Sequence, residues 1–423
     1  MGFYPCKDGY VALLGRSRRD WENIRQAIGN PSWAREEAYQ DPFVLARNSA
    51  QADELLKKTL VAFTRDELLH RGLNKSAVIA PVYTQAEAES RGVFRQQFIV
   101  DGVPEMPFQI DEHDTVKTVQ ARLRTSVTSA DQPLTGLRCM ELCWVWSGPM
   151  IGQILADLGA DVIKVEAPRR FDLYRTRGLE HLSKKMDEKT RVESSLYFHS
   201  LNRNKSGLTL DLKHPKGLDV ALRLASESDM LIENFTVGTM ERLGLDGGAL
   251  FKANPALVQM SMSGPGRGSS VENLRSYGLV LSALGGAEDL VRNGEEFIGS
   301  PTFSLSDPNA AAFGAMGVLA GVLATHGDGR GRIFDVSQIE AAATLAGTPV
   351  PKVETASAIL MADDGDYVAV SFPISAFSDG PALQRALAGA SRAEIEALCR
   401  RYGGYWSDLL ELELSLIHIS EPT

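Results

Sequence analysis

Asp307 is the carboxylate whose neighbours suggest chemistry. It is followed by Pro308 and then by the apolar run Ala310 to Thr325, AAAFGAMGVLAGVLAT. Locally this reads as a helix start, with Asp307 as N-cap and proline at the first helical position. The same placement suits a nucleophile. A carboxylate at a helix N-terminus is held as an anion by the dipole and the free N–H groups, and such a group can attack a thioester carbonyl. Other binding candidates flank apolar runs that read as strands. Gly148-Pro149 lies where ELCWVWS gives way to a helix-like run, but no GxGxxG accompanies it, so a dinucleotide site has little support. Glu166 ends DVIKVE where dinucleotide enzymes keep a ribose-binding acid; without the glycines it reads as a structural strand-end residue. Asn202-Arg203-Asn204-Lys205 precedes SGLTLDL and reads either as a solvated loop or as a phosphate cradle at the carboxyl edge of a parallel sheet. Asn234 and Phe235 follow DMLIE and offer an amide and a stacking ring, and Arg242 one short helix further on offers a fork for phosphate.

Several chemistries find no pattern. The seven histidines form no HExxH or other metal motif, and neither a GxSxG elbow nor a Walker A loop occurs. The four cysteines, Cys6, Cys139, Cys143 and Cys399, have no metal-ligand spacing and fit a reducing, cytoplasmic setting. A net charge of −10 argues against a general nucleic-acid or anionic-membrane surface, while leaving room for a local basic pocket. The opening MGFYPCKDGY does not read as a signal peptide, and the run 310–325 falls short of the roughly 20 residues of a membrane span.

The elements that must position these residues alternate. A length of 423 residues fits two to three domains. Residues 1–110 read as α+β, and 111–133, polar and without aromatics, as a linker. From Leu134 the character changes. LRCMELCWV is a strand, MIGQILADLGA a helix and DVIKVEAP a strand, a βαβ unit that implies a parallel sheet. The alternation continues through HPKGLDVALRLASES, DMLIENF, MERLGL, LVQMSMSG, the 307–325 helix and GRIFDVS. This pattern predicts a doubly wound α/β domain. Two stretches echo each other: CKDGYVAL (6–13) with DDGDYVAV (363–370), and more loosely FTRDELL (63–69) with ASRAEIEAL (390–398). The terminal LSLIHISEPT (414–423) breaks the pattern. It resembles translated adapter read-through and is set aside, the alternative being a genuine short strand and tail.

Six ordered blocks over about half the chain resemble family III CoA-transferases, the CaiB/BaiF group that also holds the α-methylacyl-CoA racemases. They are LTGLRCMELCWVWSGPMIGQILADLGADVIKVEAP (134–168), NRNKSGLTLDLKHPKG (202–217), LIENFTVGTMERLGL (231–245), NPALVQMSMSGPG (254–266), RSYGLVLSALGG (275–286) and SDPNAAAFGAMGVLAGVLATHGDGRGRIFDVSQIEAA (306–342). The resemblance implies a Rossmann-like doubly wound domain with a smaller α+β domain. It places the end of one repeat at 1–110, a linker at 111–133, the CoA-binding domain of a second repeat at 134–345 and the start of its small domain at 346–413. It implies Asp307 as the catalytic residue, passing through an aspartyl anhydride and an aspartyl-CoA thioester. It implies CoA contacts at Val145, Ser147, Lys205, Asn234, Phe235, Arg242, Arg275 and Tyr277. CoA and acyl-CoA enter as substrates, with a carboxylic acid as acceptor, and no metal, nicotinamide or flavin. Family members are interlocked dimers, so the chain is expected as a homodimer or, in a tandem protein, an intramolecular pseudo-dimer, with neither nucleic acid nor membrane as partner.

Some residues depart from the family pattern. Where its racemases carry a histidine this chain has Ser276-Tyr277, which disfavours two-base proton exchange. Trp146 replaces a glutamine found in some transferases and either narrows the acyl pocket or packs. Between IEAA and the DGDYVAV motif stand only TLAGTPVPKVETASAILMAD, where the family has a longer segment with a glycine-rich covering loop. Two further readings remain open at this point: an acyl-CoA racemase or CoA-linked lyase on the same scaffold, and a non-catalytic CoA-binding half of a tandem protein.

Overall fold

A computed structural model describes residues 2–40, 49–112, 132–168, 170–179, 182, 186–293, 296–300, 305–346, 355–363, 367–373, 376, 380–402 and 404–408. The core of the expected linker (113–131) and the terminal segment 414–423 lie outside the described residues. The chain divides into two compact units, 1–348 and 349–423.

The first unit opens with an antiparallel hairpin, β1 (Phe3–Cys6) and β2 (Gly9–Leu13). Helices α1 (Arg18–Ala27), α2 (Ser49–Leu60) and α3 (Arg65–Lys75) follow, and β3 (Ile79–Pro81) closes the sheet against β2. Apolar residues at helical spacing, among them Trp21, Ile24, Leu56, Leu60 and Leu68, bury themselves over this sheet. Helix α3 begins with a reciprocal capping box, Thr64 with Glu67. Strand β4 (Phe108–Glu112) then leaves this sheet and joins a larger one.

The larger sheet is the predicted α/β layer. Its strands are β5 (Arg138–Leu142), β6 (Asp161–Glu166), β7 (Ser206–Thr209), β8 (Met230–Glu233), β9 (Val258–Ser263) and β10 (Arg332–Ser337), all parallel, with β4 antiparallel on β10. The spatial order is β4-β10-β9-β8-β5-β6-β7. The order reverses between β5 and β8, which makes the crevice at their carboxyl ends the topological switch point, where open α/β sheets bind ligands. Buried Cys139, Met230, Ile232, Met260 and Val336 face one helical layer, and Met140, Leu142 and Leu231 face the other. A strand buried on both faces needs this continuous apolarity.

Helix α4 (Gln85–Ser90) precedes Arg95, which ties residues 1–112 to the large sheet; after β5 come α5 (Ser147–Asp157), α6 (Pro215–Ser226), the short α7 (Thr239–Leu243), α8 (Gly247–Ala253) and α9 (Gly278–Leu284). Helix α10 (Ser306–Asp328) is longer than its apolar run, because polar residues continue it at both ends. Among the described residues it is the one helix long and apolar enough to cross a membrane. In this fold its glycine face lies on the sheet. A Cβ at Gly321 would fall 2.6 Å from Phe334 and 2.7 Å from Val258. Its start also corrects the local reading of Asp307. Leu305 is the N-cap, the Asn309 N–H donates to its carbonyl at 3.0 Å, and Asp307 sits within the first turn. The buried Ser306 fixes that turn by donating from its hydroxyl to Gly278 O at 2.9 Å. Helix α11 (Gln338–Ala346) follows β10 directly.

The second unit repeats the topology of the chain's first elements. Strands β11 (Thr355–Met361), β12 (Tyr367–Pro373) and β13 (Tyr405–Asp408) form an antiparallel sheet in that order. Helices α12 (Gly380–Leu387) and α13 (Arg392–Tyr402) stand between its second and third strands. Ahead of α13, Ser391 and Glu394 make the same reciprocal cap as Thr64 and Glu67.

Candidate active site

The carboxyl ends of β5, β6, β7 and β8 open into a cavity of about 1740 Å³ within the first unit. This exceeds the roughly 300–1,000 Å³ of sites for drug-sized ligands. Val145, Ser147, Asn234, Phe235, Arg242, Arg275, Tyr277 and Asp307 all line it, brought together from across the sequence by the parallel sheet.

Asp307 lies where two helices begin. It occupies the first turn of α10, and Ser147 at the first turn of α5 offers it both the backbone N–H and the hydroxyl. The Ser147 hydroxyl is itself oriented by Gln338, whose Nε2 donates to it at 2.8 Å. Burial dominates the acidity and pushes the Asp307 pKa up from 3.8 to about 6; the Arg16 charge and the Ser147 donors pull the other way. The result is a carboxylate ionised at neutral pH but little solvated, the condition in which it is most nucleophilic.

The loop that presents Ser147 is strained and held. Val145 has φ +69°, a left-handed conformation that a β-branched residue avoids. Its N–H donates to Asp172 Oδ1 at 3.0 Å. The neighbouring Trp144 is gripped from both sides: its N–H donates to Asn234 Oδ1 at 2.8 Å, and Asn234 Nδ2 donates to its carbonyl at 2.8 Å. The Asn234 amide thus spans the switch point and fastens β8 to the β5–α5 turn, with one amide hydrogen and one oxygen lone pair committed to the loop.

Beneath the loop lies a buried charge cluster. Lys164 Nζ donates to Glu141 Oε1 at 3.1 Å and to Cys143 O at 2.7 Å, and pairs with Asp172 at 3.2 Å. Lys205 belongs to this cluster and does not line the cavity. Its ammonium is buried, pairs with Glu141 Oε2 at 2.8 Å and donates to Pro149 O at 2.8 Å and Asn202 Oδ1 at 3.1 Å. The phosphate-cradle reading of 202–205 is corrected with it. The cluster precedes β7, and Arg203 and Asn204 are tied to Asp157 at the end of α5. The residues at the carboxyl edge of β7 are 210–215, which do line the cavity. Glu166 is structural: it takes Arg175 in a forked pair at 2.7 and 3.0 Å and the Asp172 N–H at 2.9 Å.

The cavity wall is basic and aromatic although the chain is acidic. Arg242 keeps its place by donating to Thr239 Oγ1 at 2.7 Å. Arg170 lies over the Trp144 ring at 5.3 Å, and Phe235 meets that ring edge-on at 6.4 Å. Lys213 and Trp146 complete this wall. The fully buried Asp20 of α1 accepts from two further lining residues, Arg275 Nε at 2.7 Å and the Tyr277 hydroxyl at 3.3 Å. Arg16 lies over the Tyr277 ring at 5.0 Å and hydrogen-bonds Tyr174.

Arg16, Asp20, Tyr174 and Gln338 were missed by sequence reasoning. Gln338 had a usable signal, since it directly follows strand GRIFDVS at the edge where the other candidates sit. Arg16 and Asp20 depend on how residues 1–112 pack, and Tyr174 on the turn Leu173–Thr176 after β6, which no local pattern states.

The sequence model of CoA-transferase family III matches residues 1–131 and 134–412. The chain is 31% identical over 223 residues to succinyl-CoA–D-citramalate CoA-transferase of Chloroflexus aurantiacus, covering 53% of each chain. It is 35% identical over 201 residues to formyl-CoA:oxalate CoA-transferase of Rhodopseudomonas palustris, covering 47% of this chain and 44% of that one. The chain thus spans about half the length of the curated relatives it matches. Its fold is that of a CaiB/BaiF family protein from Brucella suis (TM-score 0.51, 23% identity, 69% of this chain and 86% of that one) and of a Mycobacterium tuberculosis protein (TM-score 0.54, 24% identity, 69% and 87%).

Proposed function

The chain belongs to CoA-transferase family III, and from that premise we propose that it moves coenzyme A between an acyl-CoA and a carboxylic acid with Asp307 as the covalent carrier. One observation carries this reading: a poorly solvated carboxylate with a pKa of about 6 faces a large cavity from the first turn of a helix, beside the first turn of another. The Asp307 carboxylate attacks the thioester carbonyl, the C–S bond breaks and the electron pair leaves on the CoA sulfur, giving a mixed anhydride. The thiolate then attacks Asp307 Cγ and releases the first acid, leaving an aspartyl-CoA thioester. An acceptor carboxylate attacks the same carbon, expels the thiolate and forms a new anhydride. Thiolate attack on the acceptor's carbonyl gives the new acyl-CoA and returns Asp307. No step needs an external base, since every nucleophile is already an anion. Ser147 N–H and the α5 dipole stabilise the charge that develops at Asp307.

The wall fits the substrate. Arg242, Lys213, Arg170 and Arg275 suit phosphates, while Phe235 and Trp144 suit a base. The acids named in the relatives, citramalate, malate, oxalate and glutarate, make a small dicarboxylate the acceptor class we propose. For organisation we propose the end of one repeat (1–110), a linker (111–133), the CoA-binding domain of a second repeat (134–345) and the start of its small domain (346–413). The shared three-stranded antiparallel order, with helices inserted before the third strand, and the reciprocal caps of the first elements and the second unit support this, as does the match of the family model in two stretches. A homodimer or intramolecular pseudo-dimer, in a reducing cytoplasmic setting, fits the same organisation. The test is a covalent adduct at Asp307 when the chain meets an acyl-CoA; transfer of CoA with Asp307 never modified contradicts the reading.

A further inference from the structure

We propose that Arg16, framed by the Tyr174 and Tyr277 rings, is the carboxylate subsite of the cavity and receives the carboxylate of the acid that accepts coenzyme A. This rests on Asp307 as covalent carrier. Arg16 comes from the turn after β2, yet its guanidinium lies on the cavity wall that holds Asp307, 5.0 Å over the Tyr277 ring and hydrogen-bonded to Tyr174. Of the other cations that line the cavity, Arg275 is engaged by Asp20, Arg242 is held by Thr239 and Arg170 lies over the Trp144 ring, on the wall proposed for the CoA phosphates. Among the described residues Arg16 makes no salt bridge. The anion its charge acts on within the cavity is Asp307.

The reaction changes that balance. In the resting chain Asp307 is the counter-charge of Arg16. Once Asp307 is an anhydride or thioester it is neutral, and Arg16 stands uncompensated in the cavity that holds the carbon to be attacked. An incoming carboxylate restores the balance and arrives at that carbon. Its oxygen bonds to Asp307 Cγ, the C–S bond breaks, and the pair leaves with the CoA sulfur. The subsite is therefore strongest in the acylated state, which favours acid binding after acyl-CoA has reacted.

The full chain tests this by titration calorimetry with succinate as probe. D307N mimics the neutral, acylated residue. It is expected to bind succinate about tenfold more tightly than the wild type, the scale of one charge-assisted contact, and D307N/R16Q is expected to lose that gain. A double variant that keeps the gain, or a D307N chain that shows none, overturns the subsite. Turnover supplies a second reading. R16Q is expected to raise KM for the acid about tenfold while the adduct on Asp307 still forms from acyl-CoA, with partial rescue in R16K. Equal losses in adduct formation and acid KM overturn it. No adduct on the wild type, together with tighter succinate binding by D307N than by the wild type, would instead remove the carrier reading and leave the anion subsite in place.

Discussion

Asp307 is tuned by opposed effects, and their balance sets a pH window. Burial raises its pKa, while Arg16 and the Ser147 donors lower it, leaving about 6 against an ordinary 3.8. A nucleophilic carboxylate must be ionised, so transfer is expected to rise between pH 5 and 7 with a midpoint near 6. The same shift acts on stability. A raised pKa means the folded chain holds this proton more tightly, so its stabilising contribution is full below the ordinary value and is lost as pH rises through about 6. D307N should therefore match the wild type near pH 4 and exceed it by roughly 1–3 kcal/mol at pH 7. Thermal melts at the two pH values check this, and a gap that narrows as pH rises contradicts it. The helix start at this residue was legible in the sequence because its neighbours, Pro308 and the apolar run, announce it, while the role proposed for Asp307 comes from the family resemblance. Its register was not. The N-cap fell to Leu305 because the buried Ser306 is anchored on Gly278, a contact outside any local window.

At the scale of elements, the strand-to-helix turn before α5 does the positioning. It must present an N–H to Asp307 while passing over a buried charge cluster, which demands both the strained Val145 and a residue without a side chain at Gly148. A Cβ there would lie 2.6 Å from Cys143 Sγ and 2.7 Å from Asn234 Cγ, both in place as parts of the turn's support. Gly148→Ala is expected to cost about 1–3 kcal/mol by overpacking. It should also slow transfer by about 10²-fold through displacement of Ser147. Unfolding curves and steady-state rates measure the two effects, and a variant with wild-type rate contradicts the positioning role. Strands and helices were legible here because parallel strands buried on both faces carry continuous apolar runs. Lys205 shows the limit. A lysine before a strand looks like a phosphate ligand, and only the fold reveals that Glu141 beneath α5 has claimed it.

For the first compact unit as a whole, the decisive feature is that residues 1–112 complete a site built on 134–346. They supply β4 to the large sheet, Arg16 to the cavity wall, Asp20 as the buried partner of the wall residues Arg275 and Tyr277, and Arg95 to a buried ion cluster. Arg95 donates to the Glu340 carboxylate from Nη2 at 2.6 Å, from Nε at 3.0 Å and from its backbone N–H at 2.8 Å, and to Asp335 Oδ1 from Nη1 at 2.7 Å. Removing one partner of such a cluster strands the others in the interior. Arg95→Leu is expected to cost about 3–5 kcal/mol. Denaturant titration reads this, and a loss below about 1 kcal/mol contradicts the attachment. The echo of CKDGYVAL by DDGDYVAV was legible because a hairpin's alternation is local. The docking of the first segment was not, since it rests on charges paired across most of the chain's length.

The most direct measurement is peptide-level mass spectrometry of the chain after mixing with succinyl-CoA, quenched with hydroxylamine, alongside D307N. A hydroxamate is expected on the peptide that carries Asp307 in the wild type and none in D307N. Transfer of CoA to an acid with that peptide unmodified, or an adduct that persists in D307N, would contradict it.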